Sequence, residues 1–249
     1  AVNSIDLTHS SRTAWNTINK LTGRSGRFSR MCPISANSIA SQFVKNGAHK
    51  AVSRESSRFV VKEVSDLWKI QTPEGGSISG PFSLDELLAA LHHLKPGKSP
   101  GLDSIFPEFI IHAGPALKSW LCGFLTSCLR QLKIPKIWRR ALVVAIPKPN
   151  KPTEDPRSYR PISLLCVPFK ILERLIYTRV EPTVEPLLPP EQAGFRHGRS
   201  TVDQVTLLTQ HIEDSFLAKK KAGAVFVDLT AAYDTVWHRG LTCKLLRLL

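Results

Sequence analysis

Residues Ala224 to His238 read AVFVDLTAAYDTVWH. The run Gly223-Ala224-Val225-Phe226-Val227-Asp228 is rich in β-formers and ends in an acid, which predicts a strand closed by a carboxylate. A helix is expected from about Thr230. A rigid strand end suits a hard metal ion: Asp has few rotamers, and the next backbone carbonyl, that of Leu229, can also ligate. The plainer role for Asp228 is to cap the helix that follows, and taken alone the residue favours that role. Tyr233 stands five residues on, and Asp234 and His238 read as capping and packing residues.

Upstream, Gln192-Ala193-Gly194-Phe195-Arg196-His197-Gly198-Arg199-Ser200 combines two glycines, two arginines and an aromatic ring. Such a turn allows close approach to a phosphate backbone, with a base or sugar packed on Phe195. Equally, it is a basic turn capping a helix that starts at Ser200. Further upstream, Ala141–Ile146 (ALVVAI) reads as a short strand, and Pro147 to Pro161 is too rich in proline for a helix. Between Lys133 and Arg160 eight Lys or Arg stand against Glu154 and Asp155. A proline-stiffened loop carrying Lys148 and Arg160 could grip a triphosphate or a template backbone, with Arg as a fork and Lys as a point charge. The commoner fate of such a charge run is a solvated loop.

The helices are legible from period and punctuation. Ser83-Leu84-Asp85-Glu86 is a capping box, followed by Leu84, Leu87, Leu88 and Leu91 on one face and stopped by Lys95-Pro96-Gly97. A second helix is expected from Pro115 to Leu132, burying Leu117, Trp120, Leu121, Phe124, Leu125 and Cys128. Two more cover 166–181 and 200–217. Residues 1–75 form a polar, mostly helical extension with Trp15, Ile18 and Leu21 at helical spacing, ending in the linker-like Pro73–Ser77; 76–249 form the main domain.

Four segments in order carry a resemblance: His93–Phe109 (HLKPGKSPGLDSIFPEF), Trp138–Leu165 (WRRALVVAIPKPNKP…SYRPISLL), Glu191–Gln204 (EQAGFRHGRSTVDQ) and Ala224–His238. Together they closely resemble the early motifs of reverse transcriptases from non-LTR retrotransposons of the jockey-like kind, over about residues 80 to 249. The stretch Lys98–Asp103 argues against retroviral-type enzymes, which lack it.

The resemblance implies a mixed α/β (α+β) fold. Helices and a fingers β-hairpin lead into the first strand of an antiparallel palm sheet, as in right-hand polymerases. It implies RNA-directed DNA polymerisation with Mg²⁺, or Mn²⁺, on an RNA template and a DNA primer or target, using dNTPs. At matching positions Asp228 looks like the first catalytic carboxylate, a metal ligand with the Leu229 carbonyl. Tyr233 looks like the aromatic gate beneath the incoming sugar, and Lys148 and Arg160 like holders of the dNTP phosphates. Gly194, Phe195, Arg196 and Gly198 look like a template-contacting turn. The family's Asp-Asp hairpin has no counterpart, because no two aspartates are adjacent in the 249 residues. The expectation is a fragment cut before the second catalytic motif and inactive alone, with a non-catalytic nucleic-acid binder as the rival reading.

Composition agrees with a polyanionic partner: 34 Lys and Arg against 20 Asp and Glu give a formal charge of +14. Apolar residues at 42% suffice for a core. The five cysteines are odd in number and lack a C-x-x-C pair, which points to reduced, buried thiols in a protein inside the cell, in cytoplasm or nucleus, and away from zinc. No apolar run is long enough to span a bilayer, so no membrane role is expected. Leu241–Leu249 (LTCKLLRLL) has helical spacing and no stop signal, as if the chain ended within an element. Oligomeric state is left open.

Overall fold

The computed structural model describes residues 32–47, 52–69, 78–229 and 232–248. The expectations for Trp15–Leu21 and for the Pro73–Ser77 linker lie outside these residues, as does Thr230 itself; the helix expected from about Thr230 is not formed over 232–237, which are turn and irregular chain, and the next helix starts only at His238. The chain is mixed helix and sheet. In order come α1 (Ala36–Asn46), α2 (Arg54–Lys69), α3 (Leu84–His92), α4 (Pro107–Ile111), α5 (Pro115–Gln131), β1 (Leu142–Pro147), β2 (Tyr159–Leu164), α6 (Val167–Val184), α7 (Thr201–Leu217) and α8 (His238–Leu248).

Local chemistry sets most of the boundaries. Ser83 caps α3 by accepting from the Glu86 amide at 3.1 Å, and Glu86 accepts from the Ser83 amide at 2.7 Å. Ser200 and Asp203 make the same reciprocal box on α7. Pro107, Pro115 and Pro168 occupy first-turn positions, where a missing amide costs nothing. Leu132 ends α5 in the left-handed region, at φ 50°.

One core joins α3, α4, α5 and α6. It is built from Leu87, Leu91, Ile110, Leu121, Leu125, Ile171 and Leu175, with Trp138 closing it from the 3-10 turn Lys136–Arg139. The face expected of α5 is partly displaced. Leu121, Cys122, Leu125 and Cys128 are buried, whereas Leu117 and Trp120 stand in solvent. Successive helix positions are rotated by about 100°, and the core takes the Leu121–Cys122 side of the stripe.

Arg179 of α6 fastens this core to the chain entering α3. Its guanidinium donates to both Glu86 carboxylate oxygens at 2.6 and 2.8 Å and to the carbonyls of Ile78, Gly80 and Pro81. It also lies over the Phe82 ring, 4.5 Å from the centroid. The Lys95–Ser104 loop is held more tightly still. A β-carbon on Gly101 would fall 2.4 Å from the Cys166 nitrogen and 2.6 Å from the Leu165 carbonyl carbon. Only glycine lets this loop touch the backbone joining β2 to α6.

A second pairing packs α2 against α8, with Val60 and Cys243 buried and Arg247 donating to Glu63 at 2.6 Å. The helical reading of Leu241–Leu249 is realised in α8 over Leu241–Leu248, the part that is described. The strand expected over Gly223–Asp228 is not. These residues form no strand and pair with no other backbone, and Val225 is 90% exposed. The physical reason is that consecutive apolar residues suit a strand covered on both faces and hydrogen-bonded at its edges. Among the described residues no strand or covering layer lies against this run, and the only sheet is the antiparallel pair β1–β2.

Four of the five cysteines are buried and none is bonded to another; Cys32, expected to be buried as well, is exposed. Burial pushes the Cys122 and Cys128 thiols up, so they remain protonated. Among the described residues no helix is long and apolar enough to cross a membrane.

Candidate nucleotide and nucleic-acid site

The hairpin brings Lys148 and Arg160 together. The register pairs Leu142 with Leu164, Val144 with Ile162 and Ile146 with Arg160. The Lys148 amide donates to the Ser158 carbonyl at 2.7 Å, which extends the ladder by one pair. Because antiparallel pairs alternate, that bond makes Ile146–Arg160 a bonded pair and Ala145–Pro161 and Pro147–Tyr159 non-bonded ones. Both strand prolines therefore sit where no amide is needed. Alternation also fixes the faces. Arg160 shares one face with Ile146 and Lys148, and Lys148 is its diagonal neighbour, at the roughly 7–8 Å typical of such pairs.

The other face, carrying Val143, Ala145, Pro161 and Tyr159, turns towards α1 across a groove that also includes Ile39 and Phe43. The Arg160 face is uncovered, with Leu142, Val144, Ile146 and Ile162 all exposed. The hairpin tip is ordered from within. Lys148 Nζ donates to the Arg157 carbonyl at 2.7 Å, the Asp155 carboxylate accepts from the Arg157 amide at 2.9 Å, and the Tyr159 hydroxyl donates to the Thr153 carbonyl at 2.9 Å. Lys148 thus braces the loop, while Arg160 points free of any ion pair among the described residues.

The Gln192–Ser200 turn is built around Arg196. Its guanidinium reaches inward to Glu185 at 2.8 Å and to the carbonyls of Pro189 and Gln192 at 2.7 and 3.1 Å. Arg196 therefore organises the turn, and the exposed basic group beside it is Arg199. Gly194 accepts from the Gln192 side chain at 3.2 Å, and Gly198 takes the left-handed backbone at φ 69°. Phe195 is also left-handed, at φ 62°, and is 92% exposed. A large aromatic in that region is strained by about 1–2 kcal/mol. The turn holds it there and points its ring outward.

The Phe195 ring meets Tyr233 edge-to-face, with centroids 5.9 Å apart. Tyr233 is 73% exposed and stands outside the core of the described residues. Two of the four motifs are thus joined by one aromatic contact. Asp234, next along the chain, lines the α1–hairpin groove with Tyr159 and Pro161.

Asp228 and Leu229 are exposed in the unpaired run. Among the described residues no three acids, histidines or cysteines converge as a metal site would require. A lone solvated carboxylate does not fit a pair of divalent ions, whose mutual repulsion needs several carboxylates to offset it. The described residues do not by themselves make the metal centre that the resemblance implies.

Sequence reading missed three supports of this site. Arg179 sits in a helix with nothing local to mark it, and its partners lie far off in sequence. The approach of Gly101 to Cys166 was signalled only by the Ser-Pro-Gly turn. The Cys32 thiol, 3.2 Å from the Tyr159 hydroxyl, left no sequence trace.

Residues 146–248 match the reverse transcriptase (RNA-dependent DNA polymerase) family. The chain is 41% identical over 170 residues to the probable RNA-directed DNA polymerase from transposon BS of Drosophila melanogaster, covering 68% of this chain and 19% of that protein. It is 34% identical over 197 residues to the RNA-directed DNA polymerase from mobile element jockey of Drosophila funebris, covering 78% of this chain and 21% of that one. The transposon X-element polymerase of Drosophila melanogaster is 32% identical over 66% of this chain. The matched stretch spans about a fifth of the length of these relatives. Residues 146–248 therefore belong to the reverse transcriptase family, and the chain is a relative of the RNA-directed DNA polymerases that non-LTR transposons such as jockey carry.

Proposed function

We propose that the chain is the fingers and the start of the palm of an RNA-directed DNA polymerase from a non-LTR retrotransposon, copying an RNA template from a DNA primer or target strand. The observation that carries this reading is the shared hairpin face of Lys148 and Arg160, two residues twelve positions apart that the β1–β2 register makes diagonal neighbours. A rigid strand pair with an unpaired guanidinium and a braced ammonium suits the phosphates of a dNTP. The guanidinium binds two oxygens at once, and the ammonium adds a point charge.

The Phe195–Tyr233 contact supports the rest of the assignment. Tyr233 acts as the gate beneath the sugar, and the Gly194–Gly198 turn carries the template, with Phe195 exposed to a base and Arg196 shaping the turn. Asp228 and the Leu229 carbonyl supply part of the Mg²⁺ site, and the partner carboxylates come from outside the described residues.

The test is steady-state dNTP incorporation by the complete polymerase of such an element carrying this segment. Arg160→Ala should raise the KM for dNTP at least tenfold while template affinity holds. An unchanged KM would remove the hairpin face from nucleotide binding.

A further inference from the structure

A second surface, on α5, has the ingredients of a strand-binding platform. Trp120 is 61% exposed although it lies on a helix whose Leu121, Cys122, Leu125 and Cys128 are buried in the core. Its ring is stacked flat on Phe124, centroids 5.2 Å apart and planes 5° from parallel. Phe124 in turn meets the buried Trp138 edge-on at 5.8 Å. One face of the Trp120 indole is thus braced through Phe124 to the core, and the other is open.

The brace leads to charge. Trp138 lies in the turn Lys136–Arg139, so the platform adjoins Lys136, Arg139 and Arg140, with Lys133 at the end of α5. All four are exposed, and none forms an ion pair or a side-chain hydrogen bond among the described residues. From Phe109 to Thr153 the sequence holds eight Lys or Arg and no Asp or Glu. Nothing local neutralises this patch. Gly123, one turn beyond Trp120, has open space where a β-carbon would stand. Alanine there would favour the helix by about 1 kcal/mol, yet the position beside the ring is left clear.

We propose that this aromatic and basic surface binds single-stranded nucleic acid, one base stacking on the open face of Trp120 and the adjoining phosphates resting on Lys133, Lys136, Arg139 and Arg140. An open, rigid ring takes an unstacked base, which a duplex does not offer. Lysine is depleted at protein–protein contacts, so a protein partner fits the patch less well. The proposal rests on the nucleic-acid-handling role above and adds a binding surface apart from the Arg160 face.

The experiment measures fluorescence anisotropy of labelled single-stranded RNA and DNA with the 249-residue chain across a salt series. Trp120→Ala should weaken binding about tenfold with little change in salt slope, and Trp120→Phe should keep most of the affinity. Lys136→Glu with Arg139→Glu should flatten the log–log slope by about 0.7 for each phosphate no longer neutralised. Gly123→Glu, which has room for its side chain, should weaken binding severalfold and serves as the deciding variant where Trp120→Ala melts early. A preference for RNA assigns the template to this surface and a preference for DNA the primer strand; either supports the proposal. Wild-type binding that Trp120→Ala and Gly123→Glu leave intact, while Phe195→Ala reduces it, overturns the platform alone. Loss of self-association in Trp120→Ala with nucleic-acid affinity intact overturns it in favour of a protein partner. A wild-type chain that binds neither strand overturns the platform and the template role of the turn together.

Discussion

The rings of Phe195 and Tyr233 stand edge-to-face, 5.9 Å between centroids at an interplanar angle of 89°. Neither is buried, so the contact adds little to stability; such pairs contribute about 0.5–1.5 kcal/mol, and exposure places this one at the low end. Its consequence is positional. In the complete polymerase, Tyr233→Ala should admit ribonucleotides while leaving dNTP incorporation largely intact. Phe195→Ala should produce the same relaxation more weakly, because it removes the ring that Tyr233 leans on. In the 249-residue chain both variants should melt within a few degrees of the parent. Comparing ribonucleotide and deoxynucleotide incorporation for the two single variants and the double variant decides the matter. Additive effects on sugar choice would separate the two rings.

Arg179 and Glu86 set an acid limit on the fold. The Arg179 guanidinium holds the Glu86 carboxyl down to about 2, against an ordinary 4.5. A depressed carboxyl stabilises the folded state in full above its unfolded value, and that contribution fades as pH falls from about 4.5 towards 2. Thermal melts over that window should show the parent losing stability faster than Glu86→Gln. Parallel curves for the two would mean that other groups govern acid unfolding.

Replacing Arg179 by Met should be severe. It strands Glu86 and removes the donors to three backbone carbonyls at once. A loss of about 3 kcal/mol is expected, as for a mostly buried charge pair broken on one side. Urea unfolding measures it, and a change below about 1 kcal/mol would show that solvent already satisfies these groups.

Gly101→Ala should destabilise by about 2 kcal/mol or more, because the new carbon meets backbone rather than a movable side chain. The base of the hairpin would shift with it, so the same variant should weaken Arg160-dependent dNTP binding in the complete enzyme. A fully stable Gly101→Ala chain would show that the loop can lift away.

The 249-residue chain by itself should not extend a primer on RNA with Mg²⁺ or Mn²⁺. Its candidate metal ligand, Asp228, has no converging acids among the described residues. Incorporation above background that Asp228→Ala abolishes would sink this expectation.

Much was decided by sequence alone, because the deciding forces were local. The capping boxes at Ser83 and Ser200, the first-turn prolines of α4, α5 and α6 and the apolar β1 run each act within a few residues, and the chain could be read through them. The order of the four motifs likewise carries the resemblance to reverse transcriptases in the sequence itself. Tertiary structure decided what depends on partners distant in sequence. It put Trp120 outside and Leu121 inside, turned Arg196 onto Glu185, and set Phe195 against Tyr233. It also left Val225 to Asp228 without a ladder. An apolar run states that a strand is possible, but a strand exists only where another backbone completes its hydrogen bonds, and the run itself does not carry that second backbone.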